Sequence, residues 1–363
     1  MKRFWGLGIG FLMVLWVAAG AMADEILFPW VVKSPTISTI ISVVNTDDLR
    51  VQNKLHFLYR YKRSGDCEAS CEHADFYVPS SPNDVFVFDA AGNINDGKPL
   101  FGDTAVKGLL VDSYPYTIRT LKNIACPTRA YLIVENSPFA EDNTLYGEAM
   151  IVELATGAAW GYAAYNPERR GDFTSDRFGE VLAPDEAAKM VIMPIDRFTT
   201  RVFVTPVSDN LTEMKTKDLT IQVGFYYDED GTFMSGFYGH DEDSYSLGGP
   251  RTVVCTGVFD VAEYVTEIFA DVLSVDAGGA EGWAYVKTIT PPKTEKIKYP
   301  ADGACVGKLE FNVGSTALDG TTIPGSTNNF IWLRGTPERA PVLLKKENNE
   351  PQPQPQPQCP AQN

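Results

Sequence analysis

The sequence has few of the residues and motifs on which common enzymes depend. Only three histidines occur among 363 residues: His56, His73 and His240. No Gly-x-Ser-x-Gly elbow presents a nucleophilic serine, and no glycine-rich phosphate loop precedes a helix. Two carboxylates would suffice for a glycosidase, but 47 acidic residues leave any such pair unlocated. We therefore assign no catalytic residue from the sequence, and a protein that is not an enzyme is favoured.

Positive charge is also scarce. The chain has 31 lysines and arginines against 47 aspartates and glutamates, which gives a formal net charge of −16. Nucleic-acid binding depends on clustered basic residues that displace phosphate counterions. The charge balance therefore argues against nucleic acid and anionic membrane surfaces as partners, and it predicts a well-solvated, acidic surface.

Long hydrophobic runs are missing after the first 23 residues. Lys2 and Arg3 precede an uncharged stretch from Phe4 to Ala23, which ends in Ala21-Met22-Ala23. Small residues at these last positions are typical of a signal peptide that is cleaved after residue 23, and an uncleaved anchor helix is the alternative. We expect a secreted, periplasmic or cell-surface protein that does not insert into a membrane after cleavage.

Strand patterns dominate the remaining chain. The segment from Lys54 to Lys62 alternates apolar and polar residues, and the segment from Ile37 to Val44 is β-branched, as is typical of strands. The clearest helical period lies between Val261 and Leu273. The sequence predicts a mainly β protein with two β-sandwich-like or barrel-like antiparallel domains and one short helix near residues 261–273.

The predicted organisation has two β domains. The first spans residues 24–167 and the second residues 196–344, with a linker or connecting loop at 168–195. Residues 345–363 have almost no apolar content, and residues 351–358 within them alternate proline and glutamine, a composition that predicts a disordered, extended tail.

A weak internal similarity suggests duplication. The segments from Thr39 to Tyr61 and from Arg201 to Tyr227 each show a strand, a turn rich in Asn and Asp, and a strand ending in tyrosines. The segments from Tyr146 to Val152 and from Glu281 to Val286 also look alike. Because β-strands resemble one another by chance, these similarities are only a hint.

The cysteines predict disulfide bonds. Cys67, Cys71 and His73 lack the Cys-x-x-Cys-His spacing of covalent haem, and a zinc site would need a fourth ligand. An exported chain favours disulfides, with a staple near Cys67 and Cys71 preferred among fifteen pairings. Cys359, at the end of the tail, is predicted to form a covalent link to the body or to another subunit; the alternative is an incidental tail cysteine that stays capped or free. The candidates are Cys67, Cys71, Cys126, Cys255, Cys305 and Cys359.

Two acidic clusters flank a short predicted strand and suggest calcium as the one candidate cofactor. Carboxylate oxygens in loops bind calcium, although the EF-hand spacing is absent and Asp-Gly is also expected in a hairpin turn. The candidate ligands are Asp228, Asp230, Asp241 and Asp243.

Aromatic residues could stack on sugars. The candidates are Trp160, Tyr162 and Tyr227, and the alternative is that these rings belong to the β core. The tripeptide Arg170-Gly171-Asp172 matches a cell-attachment sequence or forms a charged turn.

The expected function is that of a non-enzymatic secreted or cell-surface protein in adhesion, extracellular matrix or envelope assembly. Its expected partners are other cell-surface or extracellular proteins or glycans. The alternative is a secreted protein that binds or hydrolyses carbohydrate.

Overall fold

The computed structural model confirms a mainly β protein. It describes residues 24–47, 53–63, 71–80, 83–94, 100, 120–121, 127–136, 144–155, 158–175, 178–184, 186–209, 211–212, 218–229, 231–265, 267–312 and 328–335. The described residues form nineteen strands in four antiparallel sheets. The predicted tail lies outside them.

The first half of the chain forms two four-stranded sheets. Sheet A has the strand order β1-β6-β3-β4, and sheet B has the order β5-β2-β7-β8. The strands are β1 (Glu25–Lys33), β2 (Ile37–Asn45), β3 (Asn53–Arg63), β4 (Glu72–Ser80), β5 (Asp84–Asp89), β6 (Thr128–Glu135), β7 (Leu145–Glu153) and β8 (Ala159–Ala163).

The second half forms sheets C and D. The strands are β9 (Val181–Leu182), β10 (Ala187–Ile192), β11 (Phe198–Val207), β12 (Thr220–Glu229), β13 (Thr232–Gly239), β14 (Ser244–Ser246), β15 (Arg251–Val254), β16 (Gly257–Asp260), β17 (Gly282–Ile289), β18 (Gly303–Asn312) and β19 (Asn328–Trp332). Sheet C has the order β10-β17-β12-β13-β14, with β15 also on β12, and sheet D has the order β16-β11-β18-β19, with β9 on β18.

The region predicted to be helical contains three short helical segments. A 3₁₀ turn at Val261–Glu263 is followed by the four-residue helix α1 (Glu267–Ala270) and a second 3₁₀ turn at Asp271–Leu273. In the described part of the chain, no helix has the length and apolar character needed to cross a membrane.

The two halves share one topology. The order β1-β6-β3-β4 of sheet A matches β10-β17-β12-β13 of sheet C, and β5-β2-β7-β8 of sheet B matches β16-β11-β18-β19 of sheet D. Matched strands also follow the same order along the chain, and β9, β14 and β15 are additions to the second half. The structure therefore contains the same eight-stranded unit twice.

Equivalent phenylalanines join the two sheets of each half. Phe57 of β3 packs edge-on against Phe88 of β5, with ring centroids 5.9 Å apart and an interplanar angle of 73°. Phe225 of β12 packs against Phe259 of β16 at 6.1 Å and 73°. Each half is therefore a sandwich whose interior is made by the inward residues of both sheets.

Of the two similarities noted in the sequence, one joins equivalent strands of the two halves and the other does not. The segments from Thr39 to Tyr61 and from Arg201 to Tyr227 contain β2–β3 and β11–β12, which are equivalent strands. The segment from Tyr146 to Val152 lies in β7, whereas the segment from Glu281 to Val286 lies at β17, whose counterpart is β6. That second similarity is the ordinary resemblance of two alternating strands.

The two sandwiches share one hydrophobic core, and Trp30 is at the centre of their contact. Its ring lies 5.2 Å from that of Phe330 and 4.6 Å from that of Trp332. Gly307 makes room for Trp30, because a Cβ at Gly307 would lie 3.0 Å from the indole ring. On the first-half side, Tyr162 packs on Trp30 with centroids 5.1 Å apart.

The domain boundaries predicted at residues 167 and 196 remain a prediction, and the segment between them contains two strands. The segment 168–195, expected to be a connecting loop, contains β9 and β10, which pair with β18 and β17. Part of this segment therefore belongs to the sheets of the second half.

Candidate functional site

The cysteines join the two halves and do not staple one loop. Cys71, at the start of β4, forms a disulfide with Cys255, with Cα atoms 5.5 Å apart and a sequence separation of 184. The preferred local staple near Cys67 and Cys71 is therefore corrected, since the fold brings the edge of sheet A to the turn between β15 and β16. Cys305 is buried in β18. Cys67, Cys126 and Cys359 lie outside the described residues.

The acidic clusters do not form one calcium site. Asp228 accepts a hydrogen bond from the Gly231 amide at 2.9 Å, and Asp241 accepts one from the Tyr245 hydroxyl at 2.7 Å. This hydrogen bond lowers the pKa of Asp241. The two clusters lie at opposite ends of β13, about 25 Å apart at the usual rise per residue, so they cannot share an ion. Asp230 lies outside the described residues.

The other acids show no metal cluster either. Asp243 donates its amide to Asp241 at 3.2 Å, which closes the turn before β14. Among the residues that the structure describes, no group of three or more His, Cys, Asp or Glu side chains is arranged to hold a metal ion.

The predicted stacking aromatics mostly belong to the interior. Tyr162 and Tyr227 are buried, and Trp160 is half-buried and packs against the core. The Tyr162 hydroxyl donates to the Trp30 carbonyl oxygen. These rings fill the sandwiches, which is the core alternative that the sequence left open.

The Arg170-Gly171-Asp172 tripeptide forms a structural turn. The Arg170 Nε and the Gly171 amide each donate to the Glu25 carboxylate at 3.1 Å. Asp172 accepts a hydrogen bond from the Thr174 amide at 3.1 Å. The charged groups of the turn are therefore bound to the protein's own residues.

A titratable row crosses sheet A. Strand pairing places Glu25, Glu135, His56 and Tyr77 side by side on β1, β6, β3 and β4. The His56 Nδ1 lies 2.5 Å from a Glu135 oxygen, and the imidazole stacks on Tyr77 with centroids 4.5 Å apart. Strand register therefore brings His56 within hydrogen-bond distance of Glu135, a contact that the sequence analysis did not predict.

Two pKa values in this row are perturbed. Burial, and then the charge of Glu135, raise the pKa of Glu25 from 4.5 to about 7, against the opposing hydrogen bond from Arg170. Partial burial lowers the pKa of His56, but its hydrogen bond to Glu135 and the nearby negative charges outweigh burial, so the net pKa is raised.

The outer face of sheet C has a cluster of aromatic rings, here called the aromatic platform: Phe233, Tyr238, Trp283 and Tyr285. Tyr238 stacks on Trp283 with centroids 4.6 Å apart, and Tyr285 lies 5.2 Å from both Trp283 and Phe233. The Lys287 ammonium lies 3.8 Å from the Phe233 ring centroid. The four rings are partly exposed, so the platform can stack on a partner. Trp283 and Tyr285 are two residues apart in β17, so the sequence places them on one face of the strand, a pattern that the sequence analysis did not use.

The outer face of sheet B, here called the apolar face, has few of the polar residues expected on the solvent side of a sandwich. Its outward positions are set by the alternating burial of four strands: Ile40, Ser42, Val44, Val85, Val87, Tyr146, Glu148, Met150, Val152, Ala159, Gly161 and Ala163.

Several large side chains of the apolar face are in contact with solvent. Val85 is 48%, Tyr146 52% and Met150 43% exposed. Gly161 and its small neighbours on β8 leave a groove of about 660 Å³ across the face. The apolar run at residues 85–88 in β5 is typical of a strand that is buried on both sides, but it was used in the sequence analysis only to locate a strand.

No model of a known protein family, no curated protein and no solved structure matches this chain.

Proposed function

We propose that this chain is a non-enzymatic, exported protein that acts in adhesion, extracellular matrix or envelope assembly. It binds other cell-surface or extracellular macromolecules through the faces of its sheets. The apolar face of sheet B is the observation that carries this proposal, because contiguous exposed apolar patches are typical of interaction surfaces.

The chemistry of the face supports a macromolecular partner over a small ligand. Its outward residues extend over four strands, its exposed large side chains lie on β5 and β7, and the groove is open along the sheet. Isolated exposed apolar residues are common on soluble proteins, whereas Val85, Tyr146 and Met150 share one face. Covering each of these side chains would contribute about 1 kcal/mol from the area removed from water.

Substitution of Met150 tests the proposal in the source cells. Met150→Asp places a charge in the face, and Val275→Asp is the matched control, because Val275 is 47% exposed in a loop away from sheet B. The fraction of the chain bound to the cell envelope or matrix is measured after fractionation. We expect Met150→Asp to release the protein and Val275→Asp to behave as wild type. Equal retention of all three would contradict the proposal.

Carbohydrate binding is a second candidate, favoured by the aromatic platform. Exposed rings such as Trp283 and Tyr238 can stack on the flat faces of sugars. A glycan array with a hydrolysis assay would compare wild type with Trp283→Ala and with the control Phe178→Ala, since Phe178 is exposed outside the platform. Binding that only Trp283→Ala abolishes supports this candidate, and absence of binding by the wild type rejects it.

A further inference from the structure

The contact between the two halves shows what covers an outer sheet face in this fold. Phe330 and Trp332 project from the outer face of sheet D and pack on Trp30 of the first half. Beside this contact, the Thr205 hydroxyl of β11 donates to the Pro29 carbonyl oxygen at 2.6 Å. The outer side of β1, together with Tyr162 of β8, therefore covers sheet D.

The neighbouring strand β6 is part of the same covering surface. Its outward residues Tyr131 and Ile133 are buried. The adjacent Arg60 donates to the Thr212 carbonyl oxygen of the second half at 3.1 Å. Sheet A therefore meets the second half with an outer face made of aromatic and aliphatic side chains.

The covering surface of the first half consists of Trp30, Tyr131, Ile133 and Tyr162. Strand pairing identifies the equivalent residue of the second half for each of them. Val134 and Val286 each pair with the interior phenylalanine of the neighbouring strand, so they are equivalent. Tyr131 lies three residues before Val134, and Trp283 lies three residues before Val286, so Tyr131 and Trp283 are equivalent.

The same count gives counterparts for two further residues. Ile133 corresponds to Tyr285. Trp30 lies in the bulge opposite Tyr131, and Val191 pairs with Trp283, so Val191 occupies the position of Trp30.

Tyr162, on the edge strand β8 of sheet B, also has a counterpart in the second half. Ala149 and Lys308 hold the same place relative to the interior phenylalanines of sheets B and D. Tyr162 pairs with Ala149, and Ile331 pairs with Lys308. Ile331 is therefore the counterpart of Tyr162.

These counterparts are exposed where the originals are buried. Val191 is 49% and Ile331 41% exposed, and Trp283 and Tyr285 are partly exposed. We call these four residues the free covering surface. Among the strands that the structure describes, none packs on this apolar surface, which lies on sheet C and the adjoining strand β19.

Within the described ranges, sheet B lacks the cover that its counterpart, sheet D, has. Its outer face is apolar but exposed. Gly161 and Ala163 take the places of Phe330 and Trp332, which leaves the groove for side chains from outside. Glu148 lines this groove, and the exposed Lys189 lies two residues from Val191, so the charges of the two surfaces are also complementary.

We propose that the free covering surface of one copy docks on the apolar face of sheet B of a second copy. The contact repeats between molecules the arrangement that joins the two halves within a molecule. Because the two surfaces differ, the interface is heterologous, and addition of further copies produces an open, head-to-tail chain. This inference rests on the proposed function and names a second copy of the chain as the partner.

Two complementary variants test the geometry. Met150→Asp disrupts only the apolar face, Val191→Asp disrupts only the free covering surface, and Val275→Asp adds the same charge elsewhere. Sedimentation velocity of the full mature chain is measured over rising concentration, with circular dichroism and thermal melting to establish that each variant is folded.

A head-to-tail interface predicts a specific result on mixing. Wild type and Val275→Asp form a concentration-dependent series of oligomers, and each of the other variants alone is monomeric. An equimolar mixture of Met150→Asp and Val191→Asp forms dimers and nothing larger, because each supplies the surface that the other lacks.

Several results would overturn the inference. A mixture that stays monomeric, or a Val191→Asp variant that dimerises alone, contradicts a heterologous contact. A monomeric wild type at all concentrations also rejects self-association. In that case the fractionation experiment separates the two proposals. If wild type stays with the envelope and Met150→Asp is released, the proposed function holds with a different partner. If both are retained equally, both proposals fail.

Discussion

Glu25 should make the protein lose stability as the pH rises through neutrality. Its carboxyl is buried between Arg170 and Glu135, and its pKa is raised from 4.5 to about 7. A raised pKa means that the folded state holds the proton more tightly than the unfolded state does. The stabilising contribution is therefore complete below pH 4.5 and is lost as the pH rises to about 7.

The magnitude follows from the size of the rise. A difference of this size corresponds to about 3 kcal/mol between the protonated and charged forms, and the side chain is only 3% exposed, so solvent screening is weak. Glu25→Gln keeps the shape but cannot ionise. Relative to wild type, we expect the variant to gain about 3 kcal/mol in free energy of unfolding between pH 4.5 and pH 8.

Urea denaturation at a series of pH values measures this difference directly. Glu229→Gln is the control, because Glu229 is exposed at the end of β12 and its substitution removes the same charge. His56 titrates in both proteins, and its raised pKa also removes stability as the pH rises. A Glu25→Gln profile parallel to that of wild type would mean that Glu25 does not release a proton between pH 4.5 and pH 8 in the folded protein.

Three further predictions follow from the contacts between the halves and from the cysteines. Trp30→Ala should lower the free energy of unfolding by about 3–5 kcal/mol in urea, because it empties a buried site between Phe330 and Trp332; a loss below about 1 kcal/mol would contradict its central place. Cys255→Ser should cost about 2–5 kcal/mol, and mass spectrometry of the unreduced wild type should find Cys71 joined to Cys255; a different bonded pair would contradict the fold. Cys359→Ser should abolish any covalent dimer on non-reducing gels, and a free Cys359 with unchanged mobility would reject the predicted link.

The strands could be predicted from sequence because alternation reports burial directly. The alternation from Lys54 to Lys62 predicted a strand with one apolar face, and the apolar residues of that face, Leu55, Phe57, Tyr59 and Tyr61, are all buried in β3. The similarity of β2–β3 and β11–β12 also pointed to the duplication.

The sites could not be predicted because they depend on register between distant strands. His56 and Glu135 are 79 residues apart and meet only when β3 pairs with β6. The Cys71–Cys255 bond likewise requires the packing of one half on the other. The apolar run of β5 indicated part of the apolar face, but the side of the sheet that stays uncovered depends on tertiary packing.

Site-specific photo-crosslinking from position 146 tests the central claim most directly. Tyr146 is 52% exposed on the apolar face, so a photoreactive aromatic residue there samples whatever covers sheet B in the source cells. Tyr77, which is exposed on sheet A, is the matched control position. We expect abundant crosslinks from position 146 alone, mapping near Val191 and Ile331 of a second copy. Equal or absent crosslinking at the two positions would contradict the claim that sheet B is a binding surface.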